Sequence, residues 1–435
     1  MKKILFCTVD SWNSRNSSVS SNTYANLFKD YPREDMAALY IREELSDSLS
    51  CSRYFQISEQ KIIKSIFSRS IQTGRELLPQ AIMTEEDIAN IERKNALYNK
   101  NRRRNIFKII AREIIWVLGR WKTKELDDFL ESYDPDVIIF SFESYIHFNR
   151  ICKYVVKKTK SKAIGYVWDD TFTYKPVRHQ LGFRIYRFFQ RLNLKNLSKY
   201  CSACWAISPK TKQEVDSFFG FDSIVVSKSV DMMPYIHDSK ELNMPYRIIY
   251  TGNLAIGRFE SLLLLSDILK EINVGEIKFV VDVYTSTFLD SEQRSKLCDA
   301  VRIHKPVPVS EVDRIQKDSH ILLFLESLDE RNKYKARLSF STKITDYLSN
   351  QKCIIAIGDP DIAPIEYLTK EKAALCVSSK ATLYDALNAL VDDPSLIRQY
   401  GRSAYECGIR NHSREIINER IYTSLNHLYN EDSSD

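Results

Sequence analysis

Four stretches of this 435-residue chain hold side chains whose types and spacing could do chemistry. The first is Ser339-Phe340-Ser341-Thr342-Lys343-Ile344-Thr345-Asp346, just ahead of the apolar run Cys353 to Ile357. Hydroxyls at a helix start, with its free amides and dipole, make an anion site, and Lys343 adds a full positive charge. The same residues also fit an ordinary Ser/Thr helix cap beside a solvated lysine. The second stretch is Trp168-Asp169-Asp170, at the end of another apolar run, where carboxylates could contact hydroxyls or act as acid or base. A capping or turn pair fits equally, and two adjacent carboxylates are too few ligands for a metal. The third is Asp10-Ser11-Trp12-Asn13-Ser14-Arg15, a polar loop after the first apolar run. The fourth is Glu326 at the end of Ile321 to Leu325, either a sugar or ribose contact or a surface carboxylate.

The elements that must position these residues alternate in type. Lys3 to Val9 reads as a buried strand, with a helix beginning near Thr23. Residues 35–80 read as an insertion of helices and loops. Ile106 to Leu118 has a strong helical period. Strands then follow at 137–140, 163–168 and 203–207, with helices between. Residues 231–245, with two prolines and no sustained period, read as a linker. The rhythm restarts with strands at 246–251, 278–284, 321–325 and 353–357, again separated by helices. Short apolar strands alternating with helices imply parallel sheets covered on both faces. The expected architecture is α/β: one Rossmann-like domain over 1–230, a second over 246–410, and a C-terminal helix within 411–430 that crosses back to the first. Ligands in such sheets bind beyond the carboxyl ends of the strands, where all four stretches fall.

The donor-site segment of family-four glycosyltransferases with the GT-B fold resembles Ser341-Thr342-Lys343 and the strand 353–357 behind it. Tyr250-Thr251-Gly252-Asn253, Gly257-Arg258 and Ile321 to Glu326 are similar to that family as well, over about residues 200–410. The resemblance implies two Rossmann-like domains facing across a cleft. It places Gly252 and Asn253 near a nucleotide sugar's diphosphate, with Arg258 and Lys343 as the cations facing its departing charge. Ser341, Thr342 and Asp346 belong to the same donor grip, and no metal or other cofactor is required. Where the family often pairs two glutamates eight positions apart, this chain has Leu338 and Asp346. Asp169 stands where related enzymes place a histidine, so Asp169, Asp170 and Glu326 are the catalytic candidates. The loop with Asp10, Ser11, Asn13 and Arg15 faces the same cleft from the acceptor side. The implied activity is sugar transfer, with retention, to a hydroxyl of a lipid-linked or oligosaccharide acceptor in capsule or lipopolysaccharide assembly. A nucleotide-sugar epimerase, or a non-catalytic nucleotide-sugar-binding protein, shares the architecture.

Composition sets the outer limits. Hydrophobic residues at 44% and charged residues at 28% describe a globular chain. Only 11 glycines argue against a glycine-rich phosphate loop. The apolar run after Met1 is stopped by Asp10, too early for a signal-peptide core of about 7–15 residues. No run reaches the roughly 18 apolar residues of a spanning helix. Nine scattered cysteines read as buried thiols of a reducing, cytoplasmic compartment, and Cys201 and Cys204 have no second pair to complete a zinc site. Residues 1–230 hold 38 Lys+Arg against 26 Asp+Glu, and the remainder 25 against 31. The excess centres on Arg184, Arg187, Arg191, Lys195 and Lys199, one helical stripe that either meets an anionic membrane or is a solvated face. No nucleic-acid-binding motif accompanies it. The chain is expected in the cytoplasm, at the inner face of the membrane if the stripe meets lipid.

Overall fold

The computed structural model describes residues 1–12, 19–43, 46, 48–77, 105–236 and 242–430. In the first domain β1 (Ile4–Thr8) is followed by α1 (Val19–Leu27), β2 (Met36–Tyr40), β3 (Arg53–Ile57), α2 (Glu59–Ser65) and β4 (Gly74–Leu77). Next come α3 (Ile106–Leu118), α4 (Lys124–Tyr133), β5 (Val137–Ser141), α5 (Ile146–Thr159) and β6 (Lys162–Val167). The domain closes with α6 (Leu181–Ser198), β7 (Ala203–Ala206), α7 (Pro209–Phe219) and β8 (Ile224–Val225). The sheet order is β4-β3-β2-β1-β5-β6-β7-β8, parallel except for the antiparallel edge strand β4. Here the structure corrects one expectation. Residues 35–80 are not an insertion of helices and loops; β2 and β3 extend the sheet beyond β1.

The second domain opens with β9 (Tyr246–Thr251), α8 (Arg258–Ile272), β10 (Phe279–Tyr284), α9 (Ser291–Ser295), β11 (Val301–His304) and α10 (Val309–Lys317). It continues through β12 (Ile321–Leu325), α11 (Glu330–Ala336), α12 (Thr342–Ser349), β13 (Cys353–Ile357), α13 (Ala363–Lys370) and β14 (Leu375–Val377). Three helices end the chain: α14 (Lys380–Asp392), α15 (Ser395–His412) and α16 (Arg414–Asn430). The six strands are all parallel, in the order β11-β10-β9-β12-β13-β14.

Strands such as Ile4–Thr8 and Cys353–Ile357 are buried at every position, because helices cover both sheet faces. The strand period of two sends Ile4 and Phe6 to one core and Leu5 and Cys7 to the other. The core holding Phe6 and Trp205 continues without a break into Phe340, Leu348, Ile354 and Tyr367 of the second domain. Helix α16 reinforces this joint from the first-domain side. Trp205 Nε1 donates to Ser424 Oγ at 3.0 Å, and Tyr429 OH to the Asp136 carbonyl at 2.8 Å. A backbone bridge between Val230 and Ser413 ties the crossover down.

Candidate active site

The second-domain side of the cleft is built around the turn after β9. A side chain at Gly252 would put its Cβ 2.9 Å from Lys343 Cε and closer still to Nζ. Only a glycine lets that lysine lie against the backbone here. The Lys343 ammonium sits 4.7 Å from the centre of the Tyr250 ring, which gives it a face of negative potential in place of water. Among the described residues it has no carboxylate and no hydrogen-bond partner. Burial and the like charge of Arg258 push its pKa down to about 8, with Glu326 opposing. This is a cation held short of a counter-ion.

Arg258, the first residue of α8, is held on three sides. Its Nε donates to the Leu325 carbonyl at 3.1 Å, Nη1 to Asn253 Oδ1 at 2.9 Å, and Nη2 to both Glu326 oxygens at 2.8 and 3.1 Å. Burial disfavours its charge, but the Glu326 carboxylate more than compensates and raises the pKa. Glu326 is only 3% exposed, so the structure places it as the anchor of Arg258 inside the wall. One buried carboxylate against two cations leaves the pocket with a net positive charge.

Above this turn, α12 begins at Thr342 with Ser341 as its N-cap, and the Ser341 side chain makes no capping bond. Lys343 lies in this first turn and is near enough to feel the charge of Arg258, and a helix start beside two cations is an arrangement that takes a phosphate. Asp346, one turn further on, pairs with Lys228 from the first domain's last segment.

On the first-domain side, three neighbouring strands each end in a carboxylate. Asp10 follows β1 and is paired with Arg42 at 3.0 Å. Asp169 follows β6 and opens to solvent on the cleft floor with protein on most sides. Its pKa is raised, chiefly because so much surrounding protein displaces water and then because Asp170 is adjacent; the Ser339 hydroxyl, which donates to it, opposes. Glu143, two residues past β5, completes the row, and its chemistry escaped the sequence reading. Burial first, then the charges of Asp169 and Asp10, push its pKa up to about 7 against the Ser141 hydroxyl and Arg42. Its position is set: Ser141 Oγ donates to Oε1 at 2.7 Å, and Asn149 Nδ2 donates to its backbone carbonyl at 2.9 Å. The usable signal was positional, an acid two residues past a strand like Asp10 and Asp169. Ser11 is buried, and Asn13 and Arg15 lie outside the described residues.

The two walls are joined by residues 337–340, immediately before α12. Arg337, 1% exposed, donates to Asp170 at 3.1 Å and to Glu214 of α7. The Leu338 side chain lies in the first domain's core, and its carbonyl accepts from Thr211 Oγ1 at 2.8 Å. A carboxylate at 338 would be buried among hydrocarbons, which is a physical reason for the leucine. Asp170 also accepts from the amide and hydroxyl of Thr173. It therefore works as an inter-domain strut, while Asp169 alone of the pair faces the cleft.

No family model matches the chain, and no curated protein matches it by sequence. Solved structures do match over nearly its full length. HepE of Anabaena, crystallised with UDP, gives a TM-score of 0.61 at 10% identity, over 98% of this chain and 100% of that one. Sucrose-phosphate synthase from Thermosynechococcus elongatus gives 0.61 at 10% identity, over 99% and 100%. TarM gives 0.57 at 10% identity, over 99% of both chains. The fold is GT-B.

In this GT-B chain the basic stripe on α6 divides: Arg187 and Arg191 turn inward, while Lys195 is exposed. Arg187 is buried and donates to the Thr171 carbonyl, and Arg191 donates to that of Phe172. Arg191 and Lys195 also lie over the Phe218 ring, at 4.3 and 4.7 Å. Arg187 and Arg191 secure the loop that carries Asp169 and Asp170, because its carbonyls have no strand partner. Arg184 and Lys199 are exposed. Among the described residues no group of three or more His, Cys, Asp or Glu side chains could hold a metal.

Proposed function

We propose that this protein is a glycosyltransferase, of the family-four type that its donor segment resembles. It moves a sugar from a nucleoside-diphosphate donor to a hydroxyl of a lipid-linked or oligosaccharide acceptor in surface-polysaccharide assembly. The observation that carries this is Lys343: a partly desolvated cation with no counter-ion, beside Arg258 and the uncapped start of α12. HepE, of the same fold, was crystallised with UDP and with UDP-glucose, which supports a nucleotide-sugar donor.

The donor diphosphate lies on the first turn of α12, facing Lys343 and Arg258. When the acceptor oxygen attacks the anomeric carbon, the electron pair of the breaking C–O bond goes to the diphosphate. The two cations stabilise that growing charge, the largest electrostatic demand of the step. They do the work of a divalent ion, so no metal is required. On the opposite wall Asp169 faces the positive charge that develops on the sugar ring, and ionised Glu143 accepts a hydrogen bond from the incoming hydroxyl. With retention, the acceptor enters on the face the diphosphate leaves, and the departing phosphate oxygen takes its proton.

The test is a screen of UDP, GDP and dTDP sugars by thermal shift, followed by nucleoside diphosphate release with membrane extract as acceptor. Acceptor-dependent release that survives EDTA and is lost in Lys343→Ala and Arg258→Ala supports the proposal. Absence of binding to every donor, or full activity in either variant, overturns it. Acceptor-independent sugar interconversion would make the protein an epimerase instead.

A further inference from the structure

Helices α3 and α6 turn large apolar side chains away from the protein. On α3 these are Phe107, Ile110, Ile114, Val117 and Leu118; on α6 they are Leu181, Ile185, Phe188, Phe189 and Leu192. Each is between 42% and 76% exposed. Both sets follow the helical period, so each forms a single stripe and not a scatter. The stripes are neighbours. The inner sides of the two helices meet where Gly182 packs against Ile106 and Tyr186 OH donates to Glu113 at 2.9 Å. Ten half-open apolar side chains in two adjoining stripes are a grouped patch and not the scattered single residues that are normal on a surface.

The charges that these two helices themselves expose have one sign. Helix α6 contains no acidic residue, and the one acid of α3, Glu113, is turned inward to the backbone N–H groups of Ile146 and His147. Lys108 and Arg184 stand exposed beside the stripes, and Arg178 lies 5.3 Å from the Phe183 ring at the start of α6. Aromatic and aliphatic side chains flanked by exposed cations, on two helices that turn no acid of their own outward, match the headgroup and acyl boundary of an anionic bilayer. A helix pair inserts only to that boundary; no described helix is long and apolar enough to cross a membrane.

We propose that the α3–α6 face docks this protein onto anionic membrane through apolar insertion. The inward-facing arginines of α6 are not the contact; the residues between them are. Docking requires no turnover, so this inference and the transferase proposal fail separately.

The test is flotation of the full chain with phosphatidylcholine vesicles, with and without phosphatidylglycerol. The protein is expected to float with the anionic vesicles, and salt should weaken binding without abolishing it. The double variant Ile114→Glu/Phe188→Glu changes two exposed positions. It should keep its thermal midpoint and lose binding by at least about tenfold. Arg184→Glu should weaken binding to anionic vesicles by about tenfold and leave the weak binding to neutral ones unchanged. Failure to float, or equal binding by the double variant, overturns the inference. So does a concentration-dependent dimer that the double variant dissolves, since the face would then serve a second copy.

Discussion

Lys343 gives the most exacting test of the phosphate site, because its charge is incomplete until a ligand arrives. Its pKa of about 8 lies well below the ordinary 10.5, chiefly through burial. A bound diphosphate supplies the missing counter-charge and raises it again. Donor affinity should therefore be flat below about pH 7 and fall as pH rises through 8, since binding must then recruit a proton. The limiting slope is about tenfold in Kd, or about 1.4 kcal/mol, per pH unit. The diphosphate of a nucleotide sugar has no titrating proton near neutrality, so the proton can be assigned to the protein. Calorimetry at pH 8, in two buffers of different ionisation enthalpy, should show uptake of roughly half a proton per donor bound. Lys343→Met should bind weakly and without proton uptake. The same variant should stabilise the free protein. A cation with a depressed pKa costs stability fully below its folded pKa, and that cost vanishes as pH rises towards the unfolded value. At pH 7 the gain is at most about 3 kcal/mol, less whatever cleft water screens. Zero proton uptake by the wild-type protein, or equal uptake by Lys343→Met, would refute the reasoning.

Three further outcomes follow from the cleft's geometry. Gly252→Ala places a methyl where the Lys343 side chain lies, and should lose most donor affinity in a titration while keeping the native circular dichroism spectrum. Glu143→Gln should lower kcat/KM and remove the limb of the pH profile near 7. The ionised form is the active one, so wild-type activity should fall as pH drops below that value; a limb that persists in Glu143→Gln would belong to another group. Arg337→Ala leaves Asp170 buried without its cation and should cost about 3–5 kcal/mol in urea unfolding. A loss below about 1 kcal/mol would mean that the strut is not structural.

What the chain reveals unaided depends on whether its information is local. Strands such as Ile321–Leu325 and Cys353–Ile357 are unbroken apolar runs between polar turns, and their alternation with helices made the two-sheet GT-B architecture readable. Met36–Tyr40 and Arg53–Ile57 were not readable as strands, because each is short and set among charged and polar residues; their neighbours in the sheet decide their state. For α6 the helical period was visible but its orientation was not. Charged residues normally face water, yet Arg187 and Arg191 turn in to satisfy the carbonyls of Thr171 and Phe172, which leaves Phe188 and Leu192 outside. The partners of Asp170 and Glu326 were hidden for a related reason. Asp170 meets Arg337 across 167 residues of chain and Glu326 meets Arg258 across 68, distances no local pattern spans. Glu143 lay in plain view two residues past a strand, but its character comes first from burial and then from the charges of Asp169 and Asp10 on either side.

The most direct measurement is a crystal structure of the protein with a bound nucleotide sugar. The diphosphate is expected within hydrogen-bond reach of Lys343 Nζ and the first-turn amides of α12, with the sugar directed towards Asp169 and Glu143. A diphosphate bound elsewhere, with Lys343 still lying over Gly252 and without an anion, would contradict the assignment of this site.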